Sequence, residues 1–169
     1  MKKIFKYIFA GMAAMSVVAC SEDALETSPS SSVSGNELLG TATNALVSLN
    51  GVYRAMYTAG VSNSSNTHQC FGITAYNLVA DVMGEDCIMN GQGSGWFWYD
   101  CVYNVKSRYT STGWRSYDMW NGYYTWISNV NYILAEEETM SGSETEKNYV
   151  LGQAYAVRAY SYFMLAQMF

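Results

Sequence analysis

The stretch from Leu151 to Phe169 constrains the fold most, because Arg158 is its only charged residue. A helix with so little charge is stable only where other elements cover it, and its apolar residues occupy two adjoining faces instead of one stripe. The two predicted faces comprise Leu151, Tyr155, Tyr162, Ala166 and Phe169, and then Ala156, Ala159 and Phe163. We therefore expect at least two neighbouring helices to pack against this segment.

The end of the sequence gives no signal that stops this helix. Neither a glycine, a proline nor a polar cap follows the apolar run before the last residue, Phe169. The carbonyl groups of the last turn therefore have no expected partner. We accordingly expect the chain to be the front part of a longer protein.

The first twenty residues have the organisation of an exported lipoprotein. A lysine-rich start precedes a short apolar run, which is typical of a secretory signal and too short for a spanning helix. The run Val17-Val18-Ala19-Cys20 resembles the lipobox of bacterial lipoproteins, in which the peptide is cut before the cysteine and its thiol carries a diacylglyceryl group. We expect residues 1–19 to be a signal peptide and Cys20 to be the lipid attachment site. A plain signal peptide cleaved near Ala19 is the alternative.

Residues 20–40 are expected to be a lipidated, flexible tether, because small, polar and acidic residues dominate there and the chain's only proline, Pro29, lies among them. Glu22 and Asp23 follow the cysteine almost directly. Acidic residues at this place resemble the signal that sends lipoproteins of Bacteroides-like bacteria to the outer face of the membrane; a soluble spacer is the alternative.

Composition argues against several classes of function. Without residues 1–19 the chain has 14 acidic and 6 basic residues, a formal charge of −8, so nucleic acid is not an expected partner. His68 is the only histidine, and no cysteine spacing typical of zinc is present. We predict no metal, no cofactor and no catalytic residue. Among Cys70, Cys87 and Cys101 at most one disulfide can form, which leaves one thiol over.

Apolar periodicity predicts an all-α fold. Helices are expected over Thr41–Tyr57, Phe71–Met83 and Trp114–Ala135, and Ser143 with Glu146 has the spacing of a capping box that begins a final helix. The last two helices form a hairpin of tetratricopeptide-like size, and long irregular loops separate the earlier elements. The residues expected to face inward are Phe71, Ala75, Leu78 and Val82 in the second helix, and Trp114, Tyr117, Trp120, Tyr124, Ile127, Val130 and Leu134 in the third.

The glycine-rich segment from residue 90 to residue 113 has neither a helical nor an alternating rhythm. Indole rings stack on the C–H faces of sugars, and amide side chains satisfy sugar hydroxyls. The hypothesis is therefore a carbohydrate site formed by Trp96, Trp98, Tyr99 and Asn90. In the alternative, these aromatic residues fill the helical core.

The remaining tryptophans and the arginine of the apolar helix are assigned structural roles. Trp120 lies on the apolar stripe of its helix and is expected in the core. Trp126 lies off that stripe, so we expect it to pack against a missing segment or to lie at the surface. Arg158 needs a carboxylate or carbonyl partner, and Asp81 and Asp118 are the candidates.

Several strings of residues resemble the SusD/RagB family of outer-membrane nutrient-binding lipoproteins. Trp120, Tyr124, Ile127, Asn131 and Leu134 reproduce its W-x3-Y-x2-I-x3-N-x2-L pattern, and Gly152, Ala154, Arg158, Ala159, Tyr162, Phe163 and Leu165 resemble its G-x-A-x3-R-A-x2-Y-F-x-L helix. Upstream, residues 45–53 are similar to the family's first helix and residues 81–86 to the acidic turn after its second. The four matches occur in the family's order.

The resemblance implies that residues 41–169 are the N-terminal part of a SusD-like α-helical domain, incomplete at its C-terminus. It implies an oligosaccharide ligand, a SusC-like TonB-dependent transporter as partner, and a lipid-anchored place at the surface of the cell outer membrane. Such proteins bind and deliver but do not cleave, so no enzymatic activity is expected. The family contributes ligand contacts between its second and third helices, where the aromatic segment of this chain lies.

Two other functions remain open at the level of sequence. The first is a lipoprotein glycosidase whose catalytic part lies beyond residue 169, which well-separated carboxylates in a further domain would indicate. The second is a membrane-embedded scaffold with Leu151–Phe169 as its spanning segment. Arg158 argues against the second, because an arginine at the centre of a spanning helix costs about 2.5 to 3.5 kcal/mol.

Overall fold

A computed structural model describes residues 35–58, 69–84, 87–102, 109–111 and 113–169. These residues form α-helices, turns and one isolated bridge between Thr41 and Ser141, with no strand among them. The predicted all-α fold is therefore confirmed. The predicted signal peptide and Cys20 lie outside the described residues, as do the tether up to residue 34, His68 and the acidic pair at positions 85 and 86.

The compact unit begins with two helices in close succession. Helix α1 spans Gly35–Leu39, the last part of the predicted tether, and Leu39 is buried in the core. Helix α2 spans Ala42–Ala55 and begins at Thr41, whose hydroxyl accepts a hydrogen bond of 3.1 Å from the amide of Asn44. Such a side-chain cap satisfies one of the amides that the first turn leaves without a partner. The helix predicted from Thr41 is thus confirmed.

Helix α3 spans Ile73–Met83 between Gly72 and Gly84, as the periodicity predicts. Its buried face contains Tyr76, Val79 and Val82, whereas Leu78 is 37% exposed. The prediction that Leu78 faces inward is wrong, because the large Tyr76 ring takes the inward position beside the rings of Tyr123 and Trp126. A single turn, α4 over Trp98–Cys101, follows the glycine-rich segment.

Helix α5 spans Trp114–Ala135 and helix α6 spans Glu144–Met168. They are antiparallel, because Trp120 near the start of α5 contacts Phe169 just after α6, with 5.2 Å between the ring centroids. The capping box is confirmed: the Ser143 hydroxyl accepts from the Glu146 amide, and the Glu146 carboxylate accepts from the Ser143 amide at 2.9 Å. The predicted hairpin is therefore present. Helix α2 packs against both of its members.

The inward face of α5 differs from the predicted stripe in its first half. Ile127, Val130 and Leu134 are buried as expected, but the earlier residues Tyr117, Trp120 and Tyr124 are exposed. The residues that replace them in the core are Arg115, Asp118, Met119, Tyr123 and Trp126. Two of these five are charged, so a search for apolar spacing selects the wrong side of the helix. The expectation that Trp120 is a core residue is wrong, and so is the assignment of Trp126 to the surface.

Helix α6 also buries a different face from the one predicted. Its buried residues are Val150, Leu151, Ala154, Val157, Ser161 and Leu165, whereas the predicted aromatic members Tyr155, Tyr162, Phe163 and Phe169 are exposed. Small and branched side chains allow α5 and α2 to approach this helix closely, and the large rings lie to the side. The expectation of two neighbouring helices is thus confirmed, although the contact face is not the predicted one. None of the helices within the described ranges combines the length and the apolar character needed to cross a membrane.

Gly72 provides a test of the contact between α2 and α3. Its φ is +72°, and a Cβ atom there would lie 2.0 Å from the carbonyl oxygen of Met56, which accepts a 2.8 Å hydrogen bond from the amide of Ile73. Gly72→Ala is expected to lower the free energy of unfolding by about 2 kcal/mol or more, as measured by urea denaturation.

Gly51 in α2 is the matched control, because a Cβ atom there meets nothing within 4 Å. Gly51→Ala is expected to raise the free energy of unfolding by roughly 0.5 to 1 kcal/mol, since alanine has the higher helix propensity. Equal effects of the two substitutions would contradict this account of the α2–α3 contact.

Candidate functional site

The aromatic loop, residues 87–101, carries all four residues of the predicted carbohydrate site. Trp96 and Tyr99 are exposed, Trp98 is half-buried at the start of α4, and Asn90 is exposed in the preceding glycine-rich part. The three aromatic residues lie together around one turn of chain. Among the described residues, no hydrogen bond joins Asn90 to them.

Two residues of this loop alternate with the exposed rings and point into the fold. Phe97 and Asp100 are both buried. They are three positions apart, and the carbonyl of Phe97 accepts a 3.1 Å hydrogen bond from the amide of Asp100. Because the two buried side chains fix this turn from below, Trp96 and Tyr99, each of which directly precedes or closely follows a buried residue, remain at the surface.

Phe97 has a backbone conformation that phenylalanine rarely adopts. Its φ is +56°, a value that no other non-glycine residue in the described part of the chain shares. Left-handed backbone costs of order 1 kcal/mol for a bulky residue, so surrounding contacts have to hold it. Its ring packs edge-on against Phe71 at 6.2 Å, and its amide donates to the side-chain oxygen of Gln69 at 3.4 Å.

A buried ion pair connects the loop to helix α5. The guanidinium of Arg115 donates to Asp100 twice, from Nη2 to Oδ2 at 2.8 Å and from Nε to Oδ1 at 3.3 Å. It also donates to the backbone carbonyl of Gln69 at 3.3 Å and lies 4.9 Å from the centre of the Phe97 ring. The side chains of Arg115 and Asp100 are 2% and 7% exposed, so the pair is almost fully removed from water.

Tyr109 completes the environment of Asp100. Its hydroxyl donates to Oδ1 of Asp100. Burial, followed by this hydrogen bond and the nearby carboxylate charge, raises the pKa of Tyr109 above its ordinary value of 10.0. At neutral pH the tyrosine is therefore a neutral donor to the carboxylate.

Sequence reasoning missed the Arg115–Asp100 pair. The two residues lie 15 positions apart, on separate elements that meet only in the folded chain. One signal was present: an arginine in the first turn of a helix with so few charges requires an explanation. Its acidic partner could not be chosen from spacing, because no periodic pattern extends through the aromatic loop.

The predicted partners of Arg158 are wrong. Its Nη1 atom donates to Oδ1 of Asn131 at 2.9 Å, and its guanidinium lies 4.9 Å from the centre of the Tyr155 ring. Asp118 is fully buried elsewhere, where one of its carboxylate oxygens accepts from the Cys70 thiol, and Asp81 is exposed. Asn131 and Arg158 come from the two sequence patterns of the family resemblance, so their hydrogen bond joins the two helices that carry those patterns.

The described cysteines and acids offer no evident metal or disulfide chemistry. No disulfide joins the three cysteines at positions 70, 87 and 101. Within the part of the chain that the structure describes, no group of three or more histidine, cysteine or acidic residues could hold a metal ion. The two buried carboxylates, Asp100 and Asp118, already accept hydrogen bonds from neighbouring side chains.

Two cavities lie beside the start of α5 and the end of α6. The first, of about 210 Å³, is lined by residues that include Tyr76, Tyr109, Arg115, Met119 and Phe169. The second, of about 320 Å³, is lined by Ser111, Ser116, Tyr117, Trp120 and Phe169. Their walls are mainly aromatic and apolar, with a few hydroxyls, so they can contact the apolar face of a ligand but offer no carboxylate. Tyr109 and Arg115 line the first cavity, and both also form hydrogen bonds to Asp100 of the aromatic loop.

Comparison with models of protein families identifies a family for this chain. Residues 74–169, more than half of the 169 residues, match the model of a SusD-like family described as starch-binding and associating with the outer membrane. The matched region contains most of α3, the aromatic loop and the α5–α6 hairpin. No curated protein and no solved structure matches the chain significantly.

Three tyrosines predict how stability responds to alkaline pH. Burial of Tyr76 and Tyr123, and partial burial of Tyr109 followed by its hydrogen bond to Asp100, raise their pKa values above the ordinary 10.0. The folded state therefore retains these protons at a pH where the unfolded state releases them. The stabilisation is complete below pH 10 and is lost as pH rises above it. We expect the free energy of unfolding, measured by urea denaturation between pH 8 and pH 11, to fall above about pH 10.

Tyr109→Phe is expected to make that fall smaller, because it removes one of the three hydroxyls. Tyr57→Phe is the control, since Tyr57 is 62% exposed. If the free energy of unfolding of Tyr109→Phe falls above pH 10 as much as that of Tyr57→Phe and of the unaltered protein, the Tyr109 hydroxyl is not held in the folded state.

Proposed function

This chain belongs to the SusD-like family, and on that premise we propose that it is a cell-surface glycan-binding lipoprotein. It captures oligosaccharide and passes it to a SusC-like TonB-dependent transporter in the outer membrane. The family's description, starch-binding and associating with the outer membrane, supports the ligand class and the location. That description does not name a transporter. The SusC-like partner is proposed from the sequence resemblance to the SusD/RagB family.

The observation that carries this proposal is the exposure of Trp96 and Tyr99 on a turn that Phe97 and Asp100 anchor. Exposed apolar groups that lie close together often mark a surface that binds a ligand or a partner. A sugar offers C–H groups that pack on such rings, and rings already held in place bind with little further loss of conformational freedom. We therefore assign Trp96 and Tyr99 to the ligand-binding surface.

Trp98 and Asn90 have supporting roles in the proposed site. Trp98 is half-buried, so it offers part of its ring to the ligand and part to the fold. Asn90 is exposed, and its amide can donate to and accept from sugar hydroxyls. The alternative in which the loop's aromatic residues fill the core applies best to Phe97, which is buried.

Binding without cleavage is the proposed activity. Glycoside cleavage generally needs two carboxyl groups on either side of the scissile bond. The buried acids of the described fold, Asp100 and Asp118, face Arg115 and Cys70 and are closed to solvent. Neither of these two acids is therefore placed to act on a sugar, and the family's description as starch-binding supports a binding role.

The lipid anchor at Cys20 supplies the connection to the membrane. The lipobox-like run before it directs acylation to its thiol, and each buried acyl methylene contributes about 0.8 kcal/mol to membrane binding. Two or more acyl chains are enough for stable anchoring. The acidic, serine-rich residues after Cys20 then leave the helical unit free to meet a glycan at the cell surface.

Trp96→Ala is expected to weaken binding of soluble starch by about tenfold, because it removes a ring that stacks on the sugar. Affinity electrophoresis and calorimetry on the full chain carrying Cys20→Ser, which prevents lipidation, measure the change. Tyr132→Ala is the control, since Tyr132 is an aromatic residue of α5 that is 65% exposed and lines neither of the two cavities.

Equal losses for Trp96→Ala and Tyr132→Ala would remove the aromatic loop from the proposal. Release of shorter sugars during the same assay would favour a glycosidase, and an absence of binding to starch and other glycans would point to a different nutrient. Far-ultraviolet circular dichroism on each variant checks that the helices are retained.

Cys20→Ser is expected to move the protein from the membrane fraction to the soluble fraction, because no acyl chain can be attached. Protease digestion of intact cells that carry the unaltered chain is expected to degrade it, since the proposed location is the outer face. Cys87→Ser, at an exposed cysteine of the helical unit, is the control and should leave the distribution unchanged. Membrane association of both variants would contradict the anchor.

A further inference from the structure

We propose that Arg115 is the positioning residue of the aromatic loop and that Asp100 is its partner in this role. The guanidinium holds α4 in the orientation that presents Trp96 and Tyr99 to solvent. Both side chains are buried, so neither forms part of the exposed surface of Trp96 and Tyr99. The inference rests on the proposed glycan-binding function and adds how its binding surface is kept in shape.

One guanidinium connects three separate parts of the chain. Arg115 belongs to α5, which packs against both α2 and α6. It binds the carboxylate of Asp100 within α4, the backbone carbonyl of Gln69 before α3, and the face of the Phe97 ring. The loop is thereby fixed to a helix that itself packs against two others.

The local backbone of the loop does little to define this orientation. Helix α4 is four residues long, and a helix of one turn is not stable by itself in water. Gly93 and Gly95 precede it with φ of +51° and +87°, and glycine restricts the backbone least. The left-handed Phe97 costs further free energy. The ion pair therefore acts at the place where local sequence is least able to define a conformation.

The chemistry of the pair fits positioning better than stabilisation. A buried ion pair adds little net stability compared with apolar side chains of similar volume, because both charges lose their hydration. A planar guanidinium with two hydrogen bonds to one carboxylate does, however, fix a direction as well as a distance. Lysine at position 115 could keep the charge but could not reproduce that geometry.

The double variant Asp100→Leu/Arg115→Met tests the proposal, because it removes both charges together and leaves neither one buried alone. It is made in the full chain carrying Cys20→Ser. Two quantities are measured: the affinity for soluble starch, and hydrogen–deuterium exchange at the amides of Asp100, Cys101 and Val102. These amides donate to the carbonyls of Phe97 and Trp98 within the turn.

We expect faster exchange at the amides of residues 100–102, unchanged exchange in α6, and starch binding about tenfold weaker, because the ligand must then order the loop. Unchanged exchange and unchanged affinity in a folded double variant would overturn the proposal. A general increase of exchange throughout α5 and α6 would also overturn it, since the pair would then support the whole fold.

A second variant keeps the test decisive if the double variant does not fold. Arg115→Lys retains the charge, and it is expected to show the same local increase of exchange with a smaller loss of affinity. If the unaltered chain binds no starch, the proposed function fails for that ligand. The exchange measurement then decides separately whether Arg115 and Asp100 position the loop.

Discussion

The contact between Arg115 and Asp100 is the interaction on which the placement of the aromatic loop against the helices depends. Charge is scarce in this fold, and here two opposite charges are almost completely removed from water. Each requires the other, because a single buried charge without a partner is strongly destabilising. The pair also brings together elements that are distant in sequence, since α5, the one-turn helix α4 and the carbonyl before α3 all meet at one guanidinium. The helical hairpin and the aromatic loop are thus parts of one packed structure.

The order of the helices could be predicted because hydrophobic spacing, caps and glycines record it locally. Thr41 and Ser143 begin helices, and Gly84 follows the end of one. The buried faces of α5 and α6 were harder to predict, because burial depends on which side chains a residue contacts across the core. In α5, Arg115 and Asp118 occupy inward positions, which reverses the usual relation between polarity and exposure. In α6, small side chains give closer packing than the aromatic rings. Side-chain size therefore determines which face of α6 is buried, and hydrophobicity alone does not predict it.

The candidate site shows the same limit in another form. The aromatic loop could be found from its lack of periodicity and its concentration of rings, and the exposure of Trp96 and Tyr99 agrees with a surface role. The ion pair that supports the loop could not be predicted from the sequence, because Asp100 and Arg115 belong to different elements and neither lies in a recognisable motif. The partner of Arg158 was missed for a similar reason. Asn131 provides an amide carbonyl, which the prediction allowed, but both candidates named from the sequence were carboxylates.

The alternation within the aromatic loop has a consequence for how such proteins can diversify. Phe97 and Asp100 hold the turn from inside, whereas Trp96 and Tyr99 are more exposed. Substitutions at exposed positions usually change stability less than substitutions in the core. The outward positions can therefore change while the inward pair is retained and the helical unit stays folded. Under the proposed function, a new sugar preference requires new outward rings on the same turn and no new fold.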